Sequence, residues 1–467
     1  MIIRLGKNIP KKTLNTTSRL LLHSAVNNRA VKQLLTNWRA NAFDEKRGIT
    51  PSTKHYPHNY LWDSWFIAII LSHFNEPNLA AMQIRATLGG QKPDGFIPNM
   101  RFNPQDKSRR FTPERFTFMD WSFGSDYTQP PLLAQAVWET YESYKRNGLQ
   151  NEGKRFLQKA YPFAKQLYEY FRRCRQNSQE SGLVGIIHPH ETGRDSDPTY
   201  DYVRQPRIPY IGNKRGGLVR NLECLANTAL DYANILRLNL KLRRVGWDIA
   251  KARKIFWAND VMFNCIYAQN LTYLAMIAGE LKHKNDAGSY SALSGRVQRQ
   301  IHKLMWSGRD ERYYALDNKG NYIKTISISN LFPIILKPNK AQTQSILDLL
   351  ESREYFSTQY PLPSVPTNDP NYDPDFREKR LWRGPVWVNM NWYVIRGLSK
   401  QLRRFKDKDK AIAKRCDILA KRIAGKTFRM VKDKGCWEFY HPQTGEGMRL
   451  QNFAWSALGY IKFPKYN

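Results

Sequence analysis

Apolar positions recur at helical spacing over most of this chain, and the interruptions between them are long, polar and aromatic. Residues 18–40 carry Leu21, Leu22, Val26, Val31, Leu34, Leu35 and Trp38 at roughly helical spacing, which predicts a helix. Residues 51–60 break the rhythm with Pro and His. Residues 62–74 are apolar nearly all round, as in a helix buried on every side. An amphipathic stretch at 79–88 pairs naturally with it. Gln129-Pro130-Pro131 opens a helix to about residue 145, with Pro in its first turn. Further helices are expected near 153–176, 219–240, 246–281 with a break, 286–306, 341–353, 386–403, 409–431 and 450–461. Long loops rich in Pro, Gly and Trp lie at 89–128, 181–217, 307–330, 354–385 and 432–449, and short strands fit 313–328.

Short and long connections therefore alternate, and the long ones hold the polar and aromatic residues. An all-α toroid of paired helices, with its long loops gathered at one rim over a pocket, fits this order. No Gly/Ser or Pro-repeat linker divides the chain. Residues 25–467 are expected to form one barrel domain behind a basic lead-in at 1–24. A targeting role for that lead-in is not favoured. The longest strongly apolar run, 65–71, is far short of the roughly 20 residues a membrane helix needs, so no membrane span is expected.

Composition changes this picture in three ways. Aromatic residues make up 13% of the chain, with 13 Trp, and flat apolar sugar faces stack on flat rings. Lysine and arginine number 74 against 40 acidic residues, a net charge of +34. Such a field attracts anions, yet the basic residues are dispersed and no nucleic-acid motif is visible, so no specific nucleic acid is expected as a partner. The five cysteines are scattered without a CxxC pair, which points to a reducing, cytoplasmic location and away from a zinc site or disulfide frame.

Two loops carry the chemistry. One is His188-Pro189-His190-Glu191-Thr192-Gly193-Arg194-Asp195-Ser196-Asp197-Pro198; the other is Trp437-Glu438-Phe439-Tyr440-His441-Pro442-Gln443-Thr444-Gly445-Glu446-Gly447. Two carboxylates from loops this far apart can straddle a sugar, whereas adjacent Asp195 and Asp197 would crowd each other. The working expectation is that the loops meet over one pocket, where Asp195 and Glu438 do acid–base work. Arg194 is expected to hold Asp197 or Glu191 ionised. From the loop alone, Asp195 reads first as part of a salt-bridge network with Arg194, and only the further motifs below turn the reading to catalysis. Glu446 is the rival to Glu438, which is preferred because Trp437 and Phe439 flank it. His188, His190 and Glu191 have the look of a metal cluster but lack a further ligand segment, so neither metal nor cofactor is expected.

Six motifs occur in one order: Tyr60-Leu61-Trp62-Asp63-Ser64-Trp65, Asp94-Gly95-Phe96-Ile97-Pro98-Asn99-Met100, Gln129-Pro130-Pro131, His190-Glu191-Thr192-Gly193-Arg194-Asp195, Trp382-Arg383-Gly384-Pro385-Val386-Trp387-Val388-Asn389, and Thr444-Gly445-Glu446-Gly447 followed by Phe453-Ala454-Trp455-Ser456. Together they resemble the catalytic domain of glycoside hydrolase family 63, the mannosylglycerate hydrolases and the trehalase-like (α/α)6 enzymes. The resemblance implies an (α/α)6 barrel and an inverting hydrolase of an α-glucosidic or α-mannosidic bond in a small saccharide or glycosylglycerate. It implies Asp195 as general acid and Glu438 as general base, about 6.5–9.5 Å apart as inversion requires. Tyr60, Trp62, Asp63, Gln129, Gly193, Trp382, Arg383 and Trp387 are the implied sugar contacts. The chain departs from the family pattern at Ser196, Asp197, Ala454 and Ser456. Two other readings stay open: a degenerate barrel that binds carbohydrate without cleaving it, and an anionic-polymer-binding protein driven by the charge.

Overall fold

A computed structural model describes residues 29–40, 47–53, 55–103, 113–120, 122–205 and 217–461. The lead-in expected at 1–24 and the start of the helix expected at 18–40 lie outside the described residues. The described part of that helix is short: α1 is Arg29–Leu35, and 38–40 form a strand paired with 47–49. The chain continues through α2 (Leu61–His73), α3 (Pro77–Leu88), α4 (Leu133–Arg146), α5 (Gln150–Tyr170), α6 (Gly217–Arg244), α7 (Ile249–Ile255), α8 (Val261–Glu280), α9 (Lys284–Leu304), α10 (Lys340–Glu351), α11 (Val388–Phe405) and α12 (Lys410–Lys434).

Six segments form an inner ring. α2 packs on α4, α4 on α8, α8 on the 3-10 segment Ile328–Ile335, that segment on α11, α11 on the 3-10 segment Ala454–Tyr460, and the last back on α2. In chain order each inner segment has an outer one before it: α1, α3, α5, α9, α10 and α12. This is the (α/α)6 toroid. α6 and α7 are an excursion between the third outer and third inner helices, and α6 lies against the 3-10 turns at 113–117 and 198–204.

The inner ring is filled rather than hollow. In α2, residues 61–72 are all buried. Each of Ile67, Ile69 and Ile70 is fully buried, worth roughly 1.5–3 kcal/mol apiece over exposure. Tyr393 of α11 crosses the centre: its ring packs on Phe66 and Phe332, and its hydroxyl donates to Gln135 Oε1 at 3.1 Å. Gln135 N in turn donates to Asn270 Oδ1 on α8 at 2.8 Å. α4 and α11 show the expected single apolar face, and α2, buried all round, does not need one.

Two expected elements differ. Residues 450–461 are not an α-helix: they finish a strand at 447–451 and then turn as the 3-10 segment. The loop expected at 432–449 holds a β-hairpin, Trp437–Tyr440 against Gly447–Gln451, with a bulge between Met448 and Gln451. The strands expected within 313–328 form as the pair 315–316 with 322–323, and a second pair, 306–307 with 312–313, begins before that range. Among the described residues, no helix is long and apolar enough to cross a membrane.

Candidate active site

The N-terminal ends of three inner segments meet at one rim. Tyr60 caps α2, Trp387 caps α11 and Phe453 caps the 454–460 segment, and all three line one cavity of about 300 Å³. Each helix N-terminus carries partial positive charge, which favours the carboxylates that gather there. The cavity is walled by Trp62, Trp382, Trp387 and Trp455 and contains four carboxyl groups, those of Asp63, Glu114, Asp195 and Glu438. The two loops singled out from the sequence do meet here.

The loop carrying Asp195 is fixed by buried ion pairs that bypass Asp195 itself. Arg194, fully buried, donates from Nε to Asp197 Oδ2 and from Nη2 to Asp260 Oδ2, both at 2.7 Å. Asp260 is the N-cap of α8 and accepts from Phe263 N at 2.8 Å, so the loop is bolted to an inner helix. Glu191 is not a partner of Arg194: buried Arg175 holds it with two bonds of 2.8 Å, and it accepts from Thr128 N and Ile187 N. His188 stacks on Tyr127 at 4.6 Å and its Nδ1 accepts from His190 N, and Glu191 has both carboxylate oxygens held by Arg175. Burial alone would raise the Asp197 carboxyl, but Arg194 and Thr199 outweigh it and hold it below its ordinary range.

Arg383 does not form pocket wall. It is fully buried behind the loop, donating from Nε to Ser196 O at 2.5 Å and from Nη1 to Asp201 at 2.9 Å. Arg204 donates to the Asp195 carbonyl. The Asp195 carboxyl accepts no hydrogen bond from any described side chain. Burial, then the negative charge of Glu114, push its pKa to about 7 against the pull of Arg204 and Arg449.

Glu438 sits on the hairpin, buried, and its strand neighbours do not enclose it as the sequence implied. Phe439 turns away to pack on Trp387 and Phe376, while Tyr56, Phe453 and Trp455 share the cavity with Glu438. Oε1 accepts from the Tyr56 hydroxyl at 3.1 Å and from Arg449. Oε2 is buried and has no partner among the described residues. Burial raises the Glu438 pKa to about 7, opposed by Arg449 and Tyr56. Glu446 is exposed and paired with Lys434. Asp63, in the first turn of α2, is pushed well above its usual range by burial, with Glu438 and Asp195 adding to the shift.

The remaining expected contacts split. Trp382 and Trp387 stack at 3.9 Å with planes 5° apart, and Trp62 lies 6.3 Å from Trp382. Gly193 takes φ +71°, and a Cβ there would fall 2.4 Å from the Trp62 ring, so glycine is required twice over. Gln129 caps α2 rather than the helix after Pro130: its Oε1 accepts from Trp62 N at 3.1 Å, leaving its amide nitrogen for the cavity. Sequence reasoning missed Tyr56, Glu114, Arg204 and Arg449. Glu114 and Tyr56 stand in loops with no periodicity, and Arg449 is one basic residue among many.

Residues 56–456 match the family described as the mannosylglycerate hydrolase MGH1-like glycoside hydrolase domain. The chain belongs to this family. It is therefore a glycoside hydrolase. It is 28% identical over 432 residues to the mannosylglycerate hydrolase of Rubrobacter radiotolerans, covering 87% of this chain and 90% of that one. Against the glucosylglycerate hydrolase of Mycolicibacterium hassiacum the identity is 22%, covering 87% and 91%. The crystal structure of the family 63 mannosylglycerate hydrolase from Thermus thermophilus in complex with Tris and D-glycerate superposes with a TM-score of 0.75 at 26% identity, covering 95% of this chain and 100% of that one.

Proposed function

We propose that the chain hydrolyses the α-glycosidic bond of a glycosylglycerate, mannosyl or glucosyl, with inversion at the anomeric carbon. Asp195 is the general acid and Glu438 the general base. The observation that carries this is the contrast between the two carboxyls across one cavity. Burial lifts both carboxyls to a pKa of about 7, so the difference lies in their partners: Asp195 has no donor on its carboxyl among the described residues and is available as a proton donor at neutral pH. Glu438 has Oε1 engaged by Tyr56 and a cation, which favour the ionised form, and Oε2 without a partner among the described residues.

In the reaction Asp195 passes its proton to the glycosidic oxygen as the bond to the anomeric carbon breaks. Glu438 Oε2 takes a proton from a water that attacks that carbon from the opposite face. The products are the free sugar as its β-anomer and glycerate, and both carboxyls return to their starting state by proton exchange with solvent. Trp62 with Trp382 supplies the stacking floor, and Asp63 and the Gln129 amide nitrogen face sugar hydroxyls. The substrate class rests on relatives named for hydrolysis of mannosylglycerate and glucosylglycerate. The test is turnover of mannosylglycerate, glucosylglycerate, trehalose, kojibiose, nigerose and maltose side by side. A kcat/KM for one glycosylglycerate at least about a hundredfold above every disaccharide, roughly 2.7 kcal/mol of transition-state preference, is the expected result. Preference for a disaccharide overturns the substrate, and sugar binding with no turnover overturns the mechanism.

A further inference from the structure

Arg449 stands in a conformation that a side chain normally avoids. It lies at φ +66°, in the bulge where the hairpin register slips between Met448 and Gln451. Bulge positions of this kind are ordinarily glycine, because a Cβ is disfavoured in the left-handed region. An arginine held there points to a use for the side chain. The bulge sets it opposite Glu438, and its guanidinium donates to Glu438 Oε1 and to the Tyr56 hydroxyl. Tyr56 in turn donates to the same Oε1 at 3.1 Å and is braced edge-on by Phe453 at 5.7 Å and Tyr60 at 5.3 Å. Both donors converge on one oxygen, and the other oxygen, buried, is left without a partner among the described residues. Arg449 itself does not line the cavity.

We infer that Arg449 is the positioning residue of Glu438: with Tyr56 it occupies Oε1, fixes the plane of the carboxylate, and leaves Oε2 as the single oxygen presented to the attacking water. The inference rests on the proposed role of Glu438 as base. It assigns the hairpin bulge a catalytic reason: the bulge brings the cation onto the carboxylate without placing it in the cavity lining. A lone buried carboxylate at this position would instead hold its proton and be of no use as a base. Coulomb attraction from Arg449 opposes that burial cost.

The experiment compares kcat and kcat/KM against pH for wild type, R449M, R449K and Y56F. Removing the cation makes Glu438 harder to ionise, so the acidic limb of both profiles moves to higher pH. For R449M the expected move is about one to three pH units, the size a neighbouring opposite charge produces. On the acidic side each unit costs about tenfold in rate, in kcat rather than KM. R449K restores most of the limb's position, and Y56F moves it in the same direction by less. Arg449 is about one-third exposed, so R449M is expected to fold; should it not, Y56F and R449K carry the test. An R449M profile with its acidic limb where wild type has it overturns the inference, as does a loss confined to KM. A wild type that cleaves no glycosylglycerate refutes the substrate instead. The inference is then read directly from the carbon-13 titration of the Glu438 carboxyl, assigned with E438Q, which must rise in R449M.

Discussion

Replacing Gly193 with alanine tests whether the acid loop and the sugar floor are one mechanical unit. The new Cβ meets Trp62 Cζ2 at 2.4 Å, Cε2 at 2.6 Å and Cη2 at 2.7 Å. Two costs follow. The left-handed φ of +71° costs an alanine about 1–2 kcal/mol. Forcing an extra methyl into a packed core costs about 1–3 kcal/mol more, for a total near 2–5 kcal/mol. Trp62 has little room to yield, with Phe66 at 5.6 Å, Trp455 at 5.8 Å and Trp382 at 6.3 Å around it. To regain a contact distance of roughly 3.5 Å the ring must move by about 1 Å, and a misplacement of that size in an active site costs about a hundredfold in rate. Urea unfolding and kcat/KM are measured for Gly193→Ala, Trp62→Phe and the double variant. If the clash is the cause, the smaller ring relieves it, and the double variant is more stable than the sum of the singles by about 0.5–3 kcal/mol. Wild-type stability and kcat/KM in Gly193→Ala, or strict additivity in the double variant, refutes the reasoning.

Other expected outcomes concern charge. Burial lifts the Asp195 pKa to about 7, against about 4 in the unfolded chain. Between those values the folded carboxyl keeps a proton the unfolded one has lost, so this residue makes stability fall as pH rises through the window. Asp195→Asn is therefore expected to be more stable than wild type at pH 8 in urea unfolding and to lose that advantage below about pH 4. Arg175→Met leaves Glu191 buried and unpaired; it should destabilise the fold by about 3–5 kcal/mol in the same assay. Glu446→Ala, at an exposed pair with Lys434, should leave kcat within about twofold of wild type.

Much of the ring was legible because its signals are local. α2 is apolar on every side, and α11 and α12 carry a clean helical period; the prolines at 130 and 131 mark the approach to α4, which itself begins at Leu133 rather than with Pro in its first turn. What could not be read was short or non-local. The fourth inner segment spans eight residues with Pro333 inside it, too few to show a period. The 437–440 and 447–451 strands exist through each other and through the bulge, so the sequence pattern shows both as loop, apart from 450–451, which it joins to a helix that does not form. Asp195, Glu438, Trp62 and Asp63 were found by motif, and the structure brings them to one cavity. Arg383 stood inside the same kind of motif yet serves from behind, through Ser196 and Asp201, because spacing along a loop does not say which side of it a long side chain takes. Arg449 and Tyr56, 393 positions apart, meet only in the fold. The charge has a place too: α12 is rich in lysine and arginine on an outer face, away from the cavity.

The most direct test of the central claim is the anomer first released from a glycosylglycerate, followed by proton NMR before mutarotation, in wild type, Asp195→Asn and Glu438→Gln. The account predicts the β-anomer from the wild type and a loss in both variants of about a hundredfold or more, the scale of a general acid or base. Release of the α-anomer, or near-full turnover by either variant, contradicts it.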